Sequence, residues 1–370
     1  MNPVRRRVLF LIPTLTGGGA ERVMVTILRH LDRSRFAPTL AVVNTRNAAF
    51  IKDVPDDVEL IDLRSSRVRY ALPKLVRLIW QRRPDVVLST LGYLNLALAL
   101  LRPLLPNGVR YVARETVVLS ADLETKRWPW LWRAAYRRFY RRFDTVICQS
   151  CDMQKDLVDG FAMPRQKTVL IHNPVDIARI RQLAKTPLAF DDSPSANGPA
   201  ECLRMVSIGR LTYQKGFDLL IDALALCSRR VKLTVLGEGP LRPQLEQQAI
   251  DRGVANQVRF IGFQNNPYPF LSEADVFVLS SRFEGFPNVV LEALACGTPV
   301  IALPAPGGVR EILDGVGGCI VAESISALDL AQAIERFSSS RALNDQVVGR
   351  YATDVISNRY EQVLMVGVAP

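Results

Sequence analysis

The sequence is poor in the residues that most often build metal and redox sites. Its 370 residues include two histidines and six cysteines, and no Asp-x-Asp triplet occurs. A zinc site takes four Cys, His or carboxylate ligands, so the chain has few residues from which to build one. Cys148 and Cys151 have redox spacing, but no second pair lies near them. We interpret the cysteines as ordinary thiols of a reducing compartment.

Long apolar runs are also missing. The stretch 91–106, "LGYLNLALALLRPLLP", is shorter than the roughly 18 to 20 residues of a membrane-spanning helix, and it includes Arg102. The N-terminus resembles a signal peptide, but Pro13 interrupts its apolar run and a helical pattern follows directly. We therefore predict no transmembrane helix and assign residues 8–14 to a first strand of the mature chain.

The charge is distributed unevenly along the chain. The net charge is +11, yet residues 1–190 hold 32 lysines and arginines against 16 aspartates and glutamates. The second half is therefore acidic on balance. Such asymmetry predicts an anionic partner for the first half, either phosphates or an acidic membrane surface.

Short apolar runs alternate with helical patterns throughout, which predicts parallel sheets covered by helices on both faces. Two series of such runs predict an α/β chain of two doubly wound, Rossmann-like domains, residues 1–180 and 181–345. A stretch rich in Pro, Ser, Asp and Gly, residues 188–201, has the composition of a linker. Ligands of open α/β sheets bind beyond the carboxyl ends of the strands, so we expect the site in the cleft between the domains. The strand predictions are "VLFLIPT", "APTLAVVN", "DVVLST", "YVARET" and "DTVICQS", then "LRMVSIGR", "KLTVLGEG", "QVRFIGF", "DVFVLSS", "TPVIAL" and "GGCIVA".

Three predicted strand ends carry groups suited to an anion or a sugar. Gly17–Gly19 precede a helix whose N-terminus can hold a phosphate, although a plain tight turn explains them equally. Arg210 and Lys215 suit a diphosphate unless they are solvated surface cations. Glu284 and Glu292 lie eight residues apart, Glu284 in a loop and Glu292 one turn into a helix. Their carboxylates either accept hydrogen bonds from sugar hydroxyls or are ordinary surface acids.

In order along the chain, these residues resemble the donor site of the retaining family 4 glycosyltransferases, which have the GT-B fold. The resemblance rests on Gly209-Arg210, Lys215-Gly216 and Glu-x7-Glu from Glu284 to Glu292. "GGGAER", "VLIHNPVD", "VLGEGPLRPQLE" and "GGVREIL" also match family landmarks. The resemblance covers essentially the whole chain, and it implies that a last segment, residues 346–370, forms a helix packed back on the first domain.

The resemblance implies a role for each matching residue. Arg210 and Lys215 would bind the donor diphosphate, Glu284 the hydroxyls of the transferred sugar, and Glu292 those of the ribose. A second set would surround the donor: Gly18, Gly19, Glu238, Gly239, Phe263, Gly285, Phe286, Pro287 and Asn288. In that set, N–H groups around Phe286, Pro287 and Asn288 would contact the sugar and phosphate. No metal and no cofactor is expected, because cations and a helix dipole would neutralise the leaving group.

One departure from the family pattern concerns the acceptor. Many relatives carry a histidine near the end of the strand that here reads "YVARET", whereas this chain has Arg114 and Glu115. Glu115 would orient the acceptor hydroxyl and Arg114 would meet an acceptor phosphate, unless both serve only the fold. Glu21 and Arg22 of "GGGAER" are further candidates for the acceptor side.

Residues 126–144, "KRWPWLWRAAYRRFYRRFD", interleave cations with aromatics. Trp132, Tyr136, Phe139, Tyr140 and Phe143 share one helical stripe, part of which must be core. The segment suits a helix that lies on an anionic bilayer. We predict membrane contact through Trp130, Arg133, Arg137, Arg138 and Arg141.

Together these features predict an enzyme that moves a hexose or N-acetylhexosamine from a nucleotide diphosphate sugar, preferentially a UDP-sugar, to a lipid-linked saccharide. It would act as a peripheral protein on the cytoplasmic face of the plasma membrane. A transferase with a soluble acceptor and a GT-B-fold UDP-sugar epimerase remain alternatives. A nucleic-acid-binding protein would not need the phosphate-and-sugar residues of the second half, so no nucleic acid is expected.

Overall fold

The computed structural model describes residues 5–188, 202–338 and 345–367. The chain divides into two compact units, Met1–Pro174 with Thr353–Pro370, and Val175–Ala352. The predicted linker, residues 188–201, lies almost entirely outside the described residues. The domain boundaries were predicted after residues 180 and 345. In the structure, the boundaries between the units follow Pro174 and Ala352.

The first unit is built on a sheet of seven parallel strands in its described residues. Their order is β3-β2-β1-β4-β5-β6-β7. The strands are β1 (Arg6–Ile12), β2 (Phe36–Val42), β3 (Glu59–Asp62), β4 (Val86–Thr90), β5 (Arg110–Arg114), β6 (Thr145–Cys148) and β7 (Thr168–Leu170). Five of them match predicted strands. β3 and β7 are short and half-buried, and they were not predicted as strands.

Helices pack on both faces of this sheet. They are α1 (Gly19–His30), α2 (Val68–Arg82), α3 (Gly92–Leu101), α4 (Leu119–Glu124), α5 (Pro129–Phe139) and α6 (Cys151–Lys155). Apolar residues recur on α1 at helical spacing, and Val23, Met24, Ile27 and Leu28 are buried. The apolar stretch 91–106 folds into α3 and a following 3-10 turn. No helix in the described part of the chain is long and apolar enough to cross a membrane.

Within its described residues, the second unit repeats the plan with six parallel strands in the order β10-β9-β8-β11-β12-β13. All six match predicted strands. They are β8 (Leu203–Ile208), β9 (Val231–Leu236), β10 (Val258–Gly262), β11 (Val276–Leu279), β12 (Val300–Ala302) and β13 (Ile320–Val321). Its helices are α7 (Ile177–Leu183), α8 (Phe217–Leu226), α9 (Arg242–Asp251), α10 (Tyr268–Glu273), α11 (Asn288–Ala295), α12 (Val309–Leu313), α13 (Ala327–Arg336) and α14 (Asp345–Gly349). The last described helix, α15 (Thr353–Met365), belongs to the first unit, where it contacts α1.

Each sheet reverses its strand order once, between β1 and β4 in the first and between β8 and β11 in the second. In open α/β sheets, such a reversal opens a crevice at the carboxyl ends of the two strands, where ligands bind. The loops after β8 and β11 contain Arg210, Lys215 and Glu284. The fold therefore places the predicted donor residues at the switch point of the second sheet.

Candidate functional site

Lys215 and Glu284 meet at this switch point. Lys215 Nζ lies 2.6 Å from Glu284 Oε1, and Ser281 Oγ donates a hydrogen bond to the same oxygen at 2.6 Å. The two charged side chains are only 20% and 7% exposed. A largely desolvated pair like this one needs good geometry to be maintained. The two loops therefore hold a cation and an acid in direct contact.

Arg210 differs from Lys215 in its surroundings. It follows β8 by two residues and is exposed. Within residues 5–188, 202–338 and 345–367, no acidic side chain forms an ion pair with it. An exposed guanidinium of this kind can bind two oxygens of a phosphate at once.

Glycines allow the loops after β8 and β9 to touch. A Cβ at Gly237 would lie 1.9 Å from Gly209 O, and one at Gly239 would lie 2.3 Å from Leu211 O. Gly237 also has a φ of +136°, which L side chains rarely adopt. The stem of Lys215 passes 3.3 Å from the place of a Cβ at Gly209, so glycine there leaves room for the cation.

Two predicted lining residues of the nucleoside pocket lie beside these loops. Glu238 is exposed, and Arg242 Nη1 lies 2.7 Å from its Oε1. Phe263 directly follows β10, and its ring is half exposed. An exposed aromatic ring next to a strand end can stack on a base.

The loop that contains Glu284 leads into α11. Phe286 is buried, and its ring packs 5.2 Å from that of Tyr351, so its side chain belongs to the core. Pro287 is the N-cap of α11 and has no N–H. The expected contribution of backbone donors around residues 286–288 therefore excludes Pro287 itself. Glu292 lies in the second turn of α11 and is buried.

A second pair of glycines, Gly307 and Gly308, packs closely against the loop that contains Glu284. A Cβ at Gly307 would lie 2.5 Å from Glu284 O, and one at Gly308 would lie 2.2 Å from the Phe286 ring. Glu284 N donates to Pro306 O, and Gly308 N donates to Gly285 O, both at 2.9 Å. The "GGVREIL" stretch therefore holds the Glu284 loop in place.

In the first unit, Glu21 occupies the glycine loop that was predicted to bind a phosphate. Its Oε2 accepts hydrogen bonds from Gly17 N at 2.7 Å and Gly18 N at 2.8 Å. Thr14 Oγ1 donates to the other oxygen. The buried Glu21 carboxylate thus caps its own helix. Gly18 N–H and the Glu21 carboxylate therefore have partners within the loop, and the predicted approach of Gly18 to the donor and of Glu21 to the acceptor stays a prediction.

The neighbours of Glu21 also have places in α1. Gly19 is the first residue of the helix. The guanidinium of Arg22 lies 5.4 Å from the centre of the Phe50 ring, a cation–π contact. Arg22 is half-buried, so part of its side chain remains at the surface.

Arg114 ends β5 and is fully buried. Its guanidinium donates to Tyr360 Oη at 3.0 Å, to Thr90 Oγ1 at 3.1 Å and to Asn173 Oδ1 at 2.6 Å. These partners belong to α15, the end of β4 and the segment after β7. The predicted contact with an acceptor phosphate is therefore wrong for this conformation, because a fully buried guanidinium cannot reach a ligand. Arg114 ties the last helix to the first sheet.

Glu115 lies in a buried polar cluster. Its Oε1 accepts from Asn95 Nδ2 at 3.0 Å and from the Tyr140 hydroxyl, whereas Oε2 has no hydrogen-bond partner among the residues that the structure describes. Burial raises the pKa of Glu115 to about 7, against the opposing effect of the Tyr140 and Asn95 hydrogen bonds. The carboxyl group is 1% exposed. A direct contact with an acceptor hydroxyl would require Oε2 to become accessible.

The aromatic residues of the predicted membrane segment fall into two groups. Tyr136, Tyr140 and Phe143 are buried in the core, as part of the stripe was expected to be. Trp128, Trp130 and Trp132 are exposed, as is the neighbouring Leu131, and Trp130 is 70% exposed. Arg137, Arg138 and Arg141 are exposed on the same segment, while Arg133 is half-buried and pairs with Glu124 at 3.4 Å. An exposed apolar and basic surface therefore exists on α5 and the turn that follows it.

Sequence reasoning missed Asp218 and Arg282, which form a bidentate ion pair beside the Lys215 and Glu284 loops. They are 64 positions apart, and no periodicity connects them. It also missed Asn95 and Tyr140 as partners of Glu115. The proximity of Arg282 to Glu284 in the sequence was the one available signal.

Two family profiles match the chain. One, described as Glycosyltransferase Family 4, matches residues 17–179, and one described as Glycosyl transferases group 1 matches residues 203–340. An N-acetylgalactosaminyltransferase of Campylobacter jejuni, named for a diphospho-undecaprenol substrate, is 28% identical over 312 residues, which are 81% of each chain. The chain spans 44% and 65% of the length of two other curated relatives that it matches.

Solved structures show the same fold. Anabaena HepE in complex with UDP-glucose aligns with a TM-score of 0.77 at 20% identity, over 97% of this chain and 99% of that one. Sucrose-phosphate synthase of Thermosynechococcus elongatus aligns with a TM-score of 0.78 at 18% identity, over 97% and 98%. With two parallel sheets and matching profiles in both halves, the chain is a glycosyltransferase of the GT-B fold and belongs to family 4.

Proposed function

We propose that this glycosyltransferase is a retaining, metal-independent enzyme that takes a hexose or N-acetylhexosamine from a UDP-sugar. Its acceptor is a saccharide linked to a lipid, and it works as a peripheral protein on the cytoplasmic face of the plasma membrane. The observation that carries the donor half is the contact between Lys215 and Glu284 at the switch point of the second sheet, with exposed Arg210 on the same loop as Lys215.

The chemistry of the donor explains this arrangement. When the bond between the sugar and the diphosphate breaks, negative charge develops on the leaving phosphate. Lys215 and Arg210 supply fixed positive charge for it, which is the electrostatic part of catalysis. An ammonium has three donors, so Lys215 can contact Glu284 and a phosphate together. The other lone pairs of Glu284 can accept hydrogen bonds from sugar hydroxyls.

The proposal of a lipid-linked acceptor is supported by the surface of α5. Three tryptophans and several arginines are exposed there within one short segment. Tryptophan is favoured at the depth of lipid headgroups, and each nearby cation adds attraction to an anionic surface. The C. jejuni relative is named for a diphospho-undecaprenol substrate, which agrees with such an acceptor.

A soluble acceptor is the second candidate function. A structural neighbour named sucrose-phosphate synthase shows that the same fold occurs in an enzyme of that kind. The exposed tryptophans of α5 favour the lipid-linked acceptor, since a soluble reaction has no use for them.

A transfer assay separates the candidates. The full chain is incubated in EDTA with UDP-, GDP- or ADP-sugars, and with either a polyprenyl diphosphate saccharide in anionic vesicles or soluble sugars and sugar phosphates. We expect a lipid-linked product from a UDP-sugar, with its anomeric configuration retained by NMR. Transfer to soluble acceptors alone, or epimerised free sugar, would support the alternatives instead. Activity that appears only with added divalent metal would contradict the metal-independent mechanism.

A further inference from the structure

Arg282 connects the two loops that hold the donor cation and the donor acid. It lies on the Glu284 loop, two residues before the acid, and its guanidinium reaches the first turn of α8. Arg282 Nη1 lies 2.8 Å from Asp218 Oδ1, and Nη2 lies 2.5 Å from Asp218 Oδ2. Such a two-point contact fixes orientation as well as distance.

The same guanidinium also holds the turn that carries Lys215. Arg282 Nη1 donates to Tyr213 O at 2.9 Å, and the cation lies 4.2 Å from the centre of the Tyr213 ring. Tyr213 begins the 3-10 turn Tyr213–Lys215. One side chain therefore fixes both the start of this turn and the helix that follows it.

Backbone and side-chain hydrogen bonds continue this junction. Arg282 N donates to Gln214 O at 2.8 Å, and Gln214 Nε2 donates to Phe283 O at 3.0 Å. Ser280 Oγ donates to Lys215 O at 2.9 Å. The two loops are thus joined on both sides of Lys215.

The close approach at Gly216 leaves little freedom for another arrangement. Gly216 has a φ of +60°, and a Cβ there would lie 2.1 Å from Ser280 O. The backbones of the two loops are in direct contact at this point. A shift of the 213–216 turn would therefore move Lys215 Nζ relative to Glu284.

We propose that Arg282 is a positioning residue which, together with Asp218, fixes the distance between Lys215 Nζ and Glu284 so that both can act on one donor. This inference rests on the proposed function of the donor site. Three of the five N–H donors of the Arg282 guanidinium are taken by Asp218 and Tyr213 O, so we assign its role to the two loops and not to the donor itself. The charge of the pair is balanced, so its effect on the diphosphate is transmitted through Lys215.

The protonation of Asp218 agrees with this role. Burial raises the pKa of Asp218, but the hydrogen bonds and charge of Arg282 outweigh burial and hold the pKa below its usual range. The same contacts raise the pKa of Arg282. The pair therefore stays ionised throughout the neutral pH range.

The α8 helix offers a matched control. Asp222 lies one turn after Asp218 and pairs with Arg252, with Arg252 Nε 2.7 Å from Asp222 Oδ1. This second Arg–Asp pair joins α8 to the end of α9 and has no contact with Lys215 or Glu284 in the described residues. If Arg282 serves only stability, losing either pair should have the same kinetic effect.

The test compares Arg282→Gln, Arg282→Lys and Asp218→Asn with Arg252→Gln and Asp222→Asn in the full chain. Each is assayed for transfer at a temperature well below its Tm. We expect Arg282→Gln and Asp218→Asn to lower kcat about 10- to 100-fold, since small misplacement of catalytic groups costs rate on this order. The KM for the donor should change less than kcat, because the charge on the leaving group develops only in the transition state.

A conservative variant and a double variant make the test more specific. Arg282→Lys should recover part of kcat, since an ammonium can pair with Asp218 but cannot make the two-point contact. The double variant Arg282→Gln/Asp218→Asn should be no slower than either single variant, because the two residues act as one unit. The two control variants should keep kcat within about twofold of the wild type, as expected for an exposed pair.

The outcomes separate the two claims. If the wild type transfers sugar and the Arg282 variants keep its kcat, the positioning role is wrong while the donor site stands. If the control variants lose kcat to the same extent, the role is one of general stability. If the wild type transfers no sugar from any donor, the proposed function fails, and this inference fails with it.

Discussion

Lys215 Nζ contacts Glu284 Oε1 at 2.6 Å across two loops that follow neighbouring strands of one sheet. This contact joins the cation assigned to the leaving diphosphate with the acid assigned to the transferred sugar. Because both side chains are largely buried, removing one leaves the other charge desolvated and unpaired. The pair should therefore matter for both catalysis and folding.

Lys215→Ala should lower kcat/KM for transfer by about 100-fold or more, the magnitude typical for loss of a group that stabilises transition-state charge. Lys215→Arg should retain part of the activity, since the charge remains. The measurement is steady-state kinetics with the preferred donor. Lys232→Ala is a suitable control, because Lys232 Nζ contacts only a backbone carbonyl, Asn256 O, in the described chain. Equal losses in both variants would argue against a special role for Lys215.

Glu115 should make the stability of the protein depend on pH. Its pKa of about 7 in the folded chain lies above the value of about 4.3 for an unfolded glutamate. Between these two values the native state binds a proton that the unfolded state lacks. The free energy of unfolding should therefore fall as pH rises from about 4 to about 7, by on the order of 3 kcal/mol in total.

The Glu115→Gln variant tests this expectation, because it removes the titrating group and keeps its shape. The urea midpoint of the wild type should fall between pH 5 and pH 8, and that of Glu115→Gln should fall less. Glu246→Gln, at an exposed site of the second unit, should leave the difference between the two pH values unchanged. A Glu115→Gln profile parallel to that of the wild type would contradict the raised pKa.

Arg114 should act on stability. Arg114→Ala leaves a cavity and removes the donor from Tyr360, Thr90 and Asn173, so we expect a loss of about 3–5 kcal/mol. Tyr360→Phe removes one of these hydrogen bonds and should cost only about 1 kcal/mol. Chemical denaturation gives both values. A stable Arg114→Met variant with a raised KM for the acceptor would instead restore the acceptor role that the sequence had indicated.

The exposed surface of α5 should bind anionic membranes. Replacement of Arg137, Arg138 and Arg141 by Glu should reduce flotation with phosphatidylglycerol vesicles at least tenfold, since each nearby cation contributes about 1 kcal/mol. Trp130→Ala should weaken binding to a smaller extent. The same reversal at Arg230, Arg252 and Arg350, exposed residues of the second unit, is the charge-matched control. Unchanged flotation of the α5 variant would exclude this surface as the docking site.

The sequence predicted the fold well because its strong signals were local. Continuous apolar runs such as those of β1 and β11 predict buried parallel strands, and all strands predicted from them exist. The half-buried β3 carries no such signal, with glutamate and aspartate at its ends. Its pairing with β2 depends on contacts distant in the sequence, which a pattern in one segment cannot contain.

The site was predictable only in part, for a similar reason. Strand ends followed by glycines and charged residues indicated Lys215 and Glu284. The structure places both residues at the carboxyl edge of the second sheet. The partners that fix them, Asp218 and Arg282, come from different segments and follow no period. Arg114 shows the opposite error, because a cation at a strand end was expected to face a ligand, whereas tertiary packing buries it under α15.

The most direct test of the donor site is a thermal-shift panel of UDP, GDP, ADP and their sugar conjugates in EDTA. A ligand that binds only the folded state raises Tm by mass action. We predict stabilisation by the UDP series in the wild type, lost in Arg210→Ala, Lys215→Ala and Glu292→Ala and kept in Lys232→Ala. If no nucleotide shifted the Tm at millimolar concentration, or if these substitutions left the shift intact, the assignment of the donor site to the ends of β8 and β11 would be contradicted.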